Sequence, residues 1–62
     1  MTDAEFRTIL NEIVTSLEEK GYKPYKQIYG YIHTGNINYI TRHGKSRDKI
    51  KLLDKERLKL ML

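Results

Sequence analysis

The stretch TDAEFRTILNEIVTSLEEKG, residues 2–21, decides the fold. Thr2-x-x-Glu5 is a capping box: the Thr2 hydroxyl and the Glu5 carboxylate satisfy backbone N–H groups that open a helix without partners. Asp3 and Glu5 also suit the positive end of the helix dipole. Phe6, Ile9, Leu10, Ile13, Val14 and Leu17 then recur at steps of three and four, which gathers them on one apolar face. Lys20 falls in the last turn, and Gly21 can adopt the left-handed conformation that ends a helix. The pattern predicts a helix over residues 3–20.

Working outward, Pro24 suits the first position of a second helix, where its missing N–H would be unpaired anyway. Tyr25, Ile28, Tyr29 and Ile32 form its predicted apolar face, and Gly35 its end. Gly30 in the interior costs about 1 kcal/mol against alanine. Two readings of it stand side by side: close approach of another helix, across a dimer for instance, or simple tolerance at an exposed site. Asn36-Ile37-Asn38 reads as a turn, followed by a short helical piece over about residues 37–42. Gly44 and Lys45 separate that piece from a last helical stretch. There Ser46 is an N-cap candidate, and Ile50, Leu53, Leu58, Met61 and Leu62 supply apolar positions. Asp54 is a second N-cap candidate that would break this stretch in two. The expected architecture is all-α, a compact bundle of four to five short helices in a single domain over residues 1–62.

Sixty-two residues bound what such a bundle can do. A chain this short buries only about 60% of the surface its unfolded form exposes. Small domains meet that shortfall with disulfides, a structural metal or self-association. The chain has no cysteine, and His33 and His43 fit no familiar ligand spacing, so a homodimer is the expected support and no metal or other cofactor is expected. The same inventory lacks a Ser–His–acid arrangement and a glycine-rich phosphate loop, so the chain reads as a binding protein and not an enzyme. No apolar run approaches the roughly 18 residues of a membrane span. The acidic start, Met1-Thr2-Asp3-Ala4-Glu5, is unlike a signal peptide. The expectation is a cytoplasmic protein.

The charge is divided along the chain. Residues 1–19 hold five acids against Arg7, a balance of −4, whereas residues 20–62 hold eleven bases against three acids, a balance of +8. A basic half attracts acidic proteins, phosphorylated segments or nucleic acid. Its sharpest feature is the row Arg47, Lys51, Lys55 and Lys59, spaced four apart and therefore one stripe on a continuous helix, with Arg42 close to its start. That stripe would dock an acidic or phosphate-bearing partner; the plainer reading is a solvated face beside Asp48, Asp54 and Glu56. A break at Asp54 would swing Lys59 away from it. All five tyrosines fall between residues 22 and 39, where packing at a core margin or a dimer interface is favoured over base stacking.

From Lys20 onward the residues are more specific than their pattern. Gly21-Tyr22-x-Pro24-x-x-Gln27-Ile28-x-Gly30-Tyr31, then Gly35, Tyr39-Ile40, Arg47 and Ile50 in register, closely resemble the IreB family of small bacterial regulatory phosphoproteins. The resemblance implies a helical homodimer, a membrane Ser/Thr kinase as partner, and restraint of cell-wall precursor synthesis that phosphorylation relieves. It also implies basic residues at Arg42, Arg47, Lys51 and Lys55, the expected partner-binding set. The chain departs from the family in four places. The tail that carries the phosphorylated threonines is reduced to Met1-Thr2, leaving Thr2 as the candidate. Lys23 and Lys26 replace asparagines, Asn36-Ile37 replaces Asp-Pro, and the last helix is basic and short. The rival reading is a small helical nucleic-acid-binding protein, for which a pI near 9.5 speaks. Against it, Ser46-Arg47-Asp48-Lys49 puts an acid where phosphates would sit.

Overall fold

The computed structural model describes residues 1–61, and its first helix, α1, runs Asp3–Glu19. The capping box is formed: the Glu5 N–H donates to Thr2 Oγ1 and the Thr2 N–H to Glu5 Oε1, both at 3.1 Å. At the other end the Gly21 N–H donates to the Glu18 carbonyl at 2.9 Å and the Tyr22 N–H to the Leu17 carbonyl at 3.0 Å. This is the paired closure that requires the left-handed residue, and Gly21 supplies it with φ +79°.

The second helix, α2, spans Pro24–Thr34 and ends in Gly35 at φ +72°. Its buried residues are Pro24, Ile28, Tyr31 and Ile32. The expected face is therefore turned: Tyr25 and Tyr29 are more than half exposed, and Tyr31 enters the core in their place. The reason is amphipathy, since a tyrosine ring fits either side of a small core and neighbouring elements choose which one goes in. Tyr22 and Tyr39 are exposed as well, so only Tyr31 of the five is a core residue.

Between α2 and the next helix the chain forms short 3₁₀ turns at Ile37–Tyr39 and His43–Lys45. The helical piece expected over 37–42 stops at Tyr39. Asn36 Oδ1 accepts from the Asn38 N–H at 2.9 Å, and Ile40 then turns extended to bury itself completely. The helix α3 covers Ser46–Ile50. Ser46 is its first residue and not its N-cap. The side chain is fully buried and donates to the His43 carbonyl at 2.7 Å.

A turn over residues 51–54 brings Leu53 back into the core. Asp54 then caps α4, Lys55–Met61, by accepting from the Glu56 N–H at 3.1 Å. The break anticipated at Asp54 is real. Of the apolar positions expected here Ile50, Leu53 and Leu58 are buried, Met61 is exposed, and Leu62 lies outside the described residues.

Four α-helices and no strand make up the described residues. The core joins Phe6, Leu10, Ile13, Val14 and Leu17 of α1 to Ile28, Tyr31 and Ile32 of α2, and is closed by Ile40, Ile50, Leu53 and Leu58. The radius of gyration, 10.5 Å, equals what about 62 residues give when fully compact. Gly30 is answered here too. Within the chain, a Cβ on it would run into the Tyr39 ring, so simple tolerance at an open site does not describe it.

Electrostatics tie the last third to α1. Lys49 pairs with Glu12 at 3.3 Å, Arg57 pairs with Asp3, and the Arg57 guanidinium also lies over the Phe6 ring at 4.6 Å. Such half-exposed pairs are worth about 0–1 kcal/mol each. They nevertheless consume part of the charge division read from the sequence.

Candidate functional site

Three of the basic side chains singled out in the sequence, Arg42, Arg47 and Lys51, line one cleft of about 330 Å³ together with Lys45, Asp48 and Ile37. Each is placed by a separate device. Arg42 follows Ile40, which is anchored in the core, and Thr41, whose N–H donates to Gln27 Oε1 of α2 at 2.9 Å. Arg47, in the first turn of α3, donates from Nε to the Ile40 carbonyl at 2.6 Å, closing the loop between them. Lys51 sits at the C-cap of α3, its N–H bonded to the Arg47 carbonyl at 3.3 Å.

Arg47 is thus a structural residue as well as a cleft residue. Its loss would strand the Ile40 carbonyl. Arg42 and Lys51 are exposed and make no such bond among the described residues.

Lys45 is the cleft cation that spacing did not reveal. It has φ +59° and follows Gly44 at φ +63°, two left-handed residues in succession. A non-glycine residue there costs on the order of 1 kcal/mol. Gly44 is held against α1, where a Cβ would meet Ser16 Oγ at 2.7 Å, so the tight corner belongs to the packing and turns Lys45 toward the cleft. The only sequence signal was Gly44 itself, since Lys45 lies off the four-residue row.

Lys55 leaves the row. With α3 ending at Ile50 and α4 beginning at Lys55, the stripe is not continuous. Lys55 Nζ instead lies over the Tyr31 ring, 5.1 Å from its centre. Lys59 pairs with Glu56 at 3.4 Å and borders a separate notch beside Tyr29, Ile32 and His33.

The remaining candidates stand apart from the cleft. Thr2 is exposed at the N-cap of α1 with its hydroxyl oxygen accepting from the Glu5 N–H. The Thr2 backbone N–H, donating to Glu5 Oε1, and then the Thr2 side chain hold the Glu5 carboxyl below the usual carboxylate range. The His33 ring lies against Tyr29 with centres 4.1 Å apart and planes tilted by 45°, whereas His43 opens a 3₁₀ turn. Among the described residues no group of three His, Asp or Glu side chains could hold a metal ion, and no helix is long and apolar enough to cross a membrane.

What the cleft can do is bind an anion. Four cations face one carboxylate, and the one arginine with an internal bond is held in place by it. Compared with known families, residues 1–61 match the family model described as the IreB regulatory phosphoprotein.

Proposed function

This chain belongs to the IreB family of regulatory phosphoproteins, and from that premise we propose a non-enzymatic cytoplasmic regulator whose Arg42–Arg47–Lys51 cleft, with Lys45, engages an acidic surface of a protein partner. The observation that carries the reading is that the turn from Arg42 through Lys45 into α3 gathers these side chains around one cleft. Spacing along a single helix would have been the weaker argument, because most charged helix faces are merely solvated. On this reading the partner-binding set is Arg42, Lys45, Arg47 and Lys51, with Lys55 left out of it.

Regulation completes the proposal. The protein works as a homodimer under a Ser/Thr kinase and restrains cell-wall precursor synthesis until it is phosphorylated. Thr2 is the candidate acceptor, exposed and next to Asp3, whose pairing with Arg57 links α1 to α4. A phosphate there would sit beside two carboxylates and compete for that arginine.

The test uses a fluorescent Asp/Glu-rich peptide and anisotropy. Losing two rim contacts of about 0.5–1 kcal/mol each predicts that Arg42→Gln combined with Lys51→Gln weakens binding roughly tenfold. Lys55→Gln should leave it unchanged. Equal affinity in all three proteins would reduce the cleft to a solubility feature. Sedimentation of the wild-type protein reads the dimer separately.

A further inference from the structure

We propose that the cleft is built for one phosphorylated serine or threonine side chain, on a peptide presented by another molecule. This rests on the cleft being the partner-binding surface and narrows its ligand from acidic to phosphorylated.

The first argument is charge density. Arg42, Lys45, Arg47 and Lys51 surround a space of about 330 Å³ with only Asp48 opposing them. A peptide carboxylate brings one negative charge. A phosphomonoester brings about −1.5 to −2 and three strong acceptor oxygens on one atom, which is what several donors converging on a small volume can saturate.

The second argument is preorganisation. Arg47 spends Nε on the Ile40 carbonyl at 2.6 Å, which fixes the plane of its guanidinium and keeps the terminal amino groups for a ligand. Ile37 gives the cleft an apolar side that suits the carbon skeleton carrying the phosphate.

Geometry also selects against a polyanion. Nucleic acid needs cations along a track that follows successive phosphates. Here the track ends after Lys51: α3 stops at Ile50, Lys55 turns onto Tyr31, and Lys59 pairs with Glu56. The result is a pit and not a stripe.

The phosphate cannot be one on the same chain's Thr2. The cleft corner at Gly44 lies against Ser16, and Thr2 is at the far end of the same helix. At 1.5 Å per residue that separation is about 21 Å.

The experiment uses the full chain and four probes: a peptide with phosphothreonine among neutral residues, its glutamate counterpart, inorganic phosphate, and a short duplex DNA. The phosphopeptide should bind roughly tenfold tighter than the glutamate peptide. Inorganic phosphate should compete only at much higher concentration. Arg42→Gln and Lys45→Gln should each lower phosphopeptide affinity several-fold without lowering the melting temperature, while Lys55→Gln should leave the affinity as it is. Equal binding of the phosphopeptide and glutamate peptides overturns the inference and leaves the acidic-partner reading standing. Failure of these and of the Asp/Glu-rich peptide overturns both. DNA bound more tightly than the phosphopeptide, or an equal loss with Lys55→Gln, also overturns the inference.

Discussion

Gly30→Ala offers the most direct trial of how this small core is closed. In an unconstrained helix interior the substitution stabilises by about 1 kcal/mol. Here the new Cβ would lie 2.4 Å from Tyr39 Cδ1, 2.9 Å from Cε1 and 3.0 Å from Cγ, against an ordinary carbon contact of about 3.5–4.0 Å. Because Cγ is the root of the ring, spinning the ring does not relieve the contact, and the whole side chain must move. Its backbone is pinned: the Tyr39 N–H bonds the Asn36 carbonyl at 3.2 Å and the Ile40 N–H bonds the Ile37 carbonyl at 2.9 Å.

Overpacking of this kind costs about 1–3 kcal/mol. The net expectation is a loss of about 1 kcal/mol, or about 4–8 °C in a domain of this size. In a Tyr39→Ala background the same substitution should be stabilising by about 1 kcal/mol, so the double-mutant cycle carries a coupling of about 2 kcal/mol. Thermal melts followed by circular dichroism, at several protein concentrations, measure all four corners. A rise of equal size in both backgrounds would refute the contact. A cost that appears only at concentrations where the protein self-associates would move the glycine's neighbour to a second copy.

Two further outcomes follow from particular bonds. Arg47→Gln should cost about 1–3 kcal/mol in urea unfolding, because it strands the Ile40 carbonyl, whereas exposed Arg42→Gln should cost almost nothing. The Glu5 carboxyl is held low by its bonds to Thr2, so its contribution to stability is complete above its ordinary value of 4.5 and disappears as pH falls through the lower folded value. An acid titration of helicity should therefore show a step below pH 4.5 that Glu5→Gln removes.

The parts of the fold that were legible are those with local causes. The capping box, the apolar face of α1, Pro24 at a helix start, Gly21 and Gly35 at helix ends and the break at Asp54 each depend on a few adjacent residues. What was not legible depends on how neighbouring elements pack and how the loop after Ile40 closes. Tyr31 rather than Tyr29 is buried because of what packs on α2, and nothing within α2 distinguishes the two rings. Ser46 looks like an acceptor until the His43 carbonyl needs a donor. The basic row holds in part: Arg47 and Lys51 line the cleft, whereas Lys55 and Lys59 do not. Arg47 and Lys51 do lie one turn apart along α3, and Arg42 joins them through a loop closed on Ile40. The same loop brings in Lys45, which periodicity could not find.

The charge division then takes on a definite meaning. The acids of α1 are not simply a contrast to the basic remainder: Glu12 takes Lys49 and Asp3 takes Arg57, so folding neutralises the cations that lie along α1. Lys55 is absorbed by a ring and Lys59 by Glu56. The cations gathered at the cleft are among those this pairing passes over. Holding them together opposes folding, since two like charges about 6 Å apart repel by about 0.7 kcal/mol even in bulk water. A strained Lys45 adds to that cost. A chain with so small a core gains nothing in stability from such a cluster, and an anion entering the cleft recovers the repulsion at the moment of binding. Replacing Lys45 or Lys51 by glutamine should therefore raise the melting temperature slightly while weakening the ligand. A stability site would show the opposite sign.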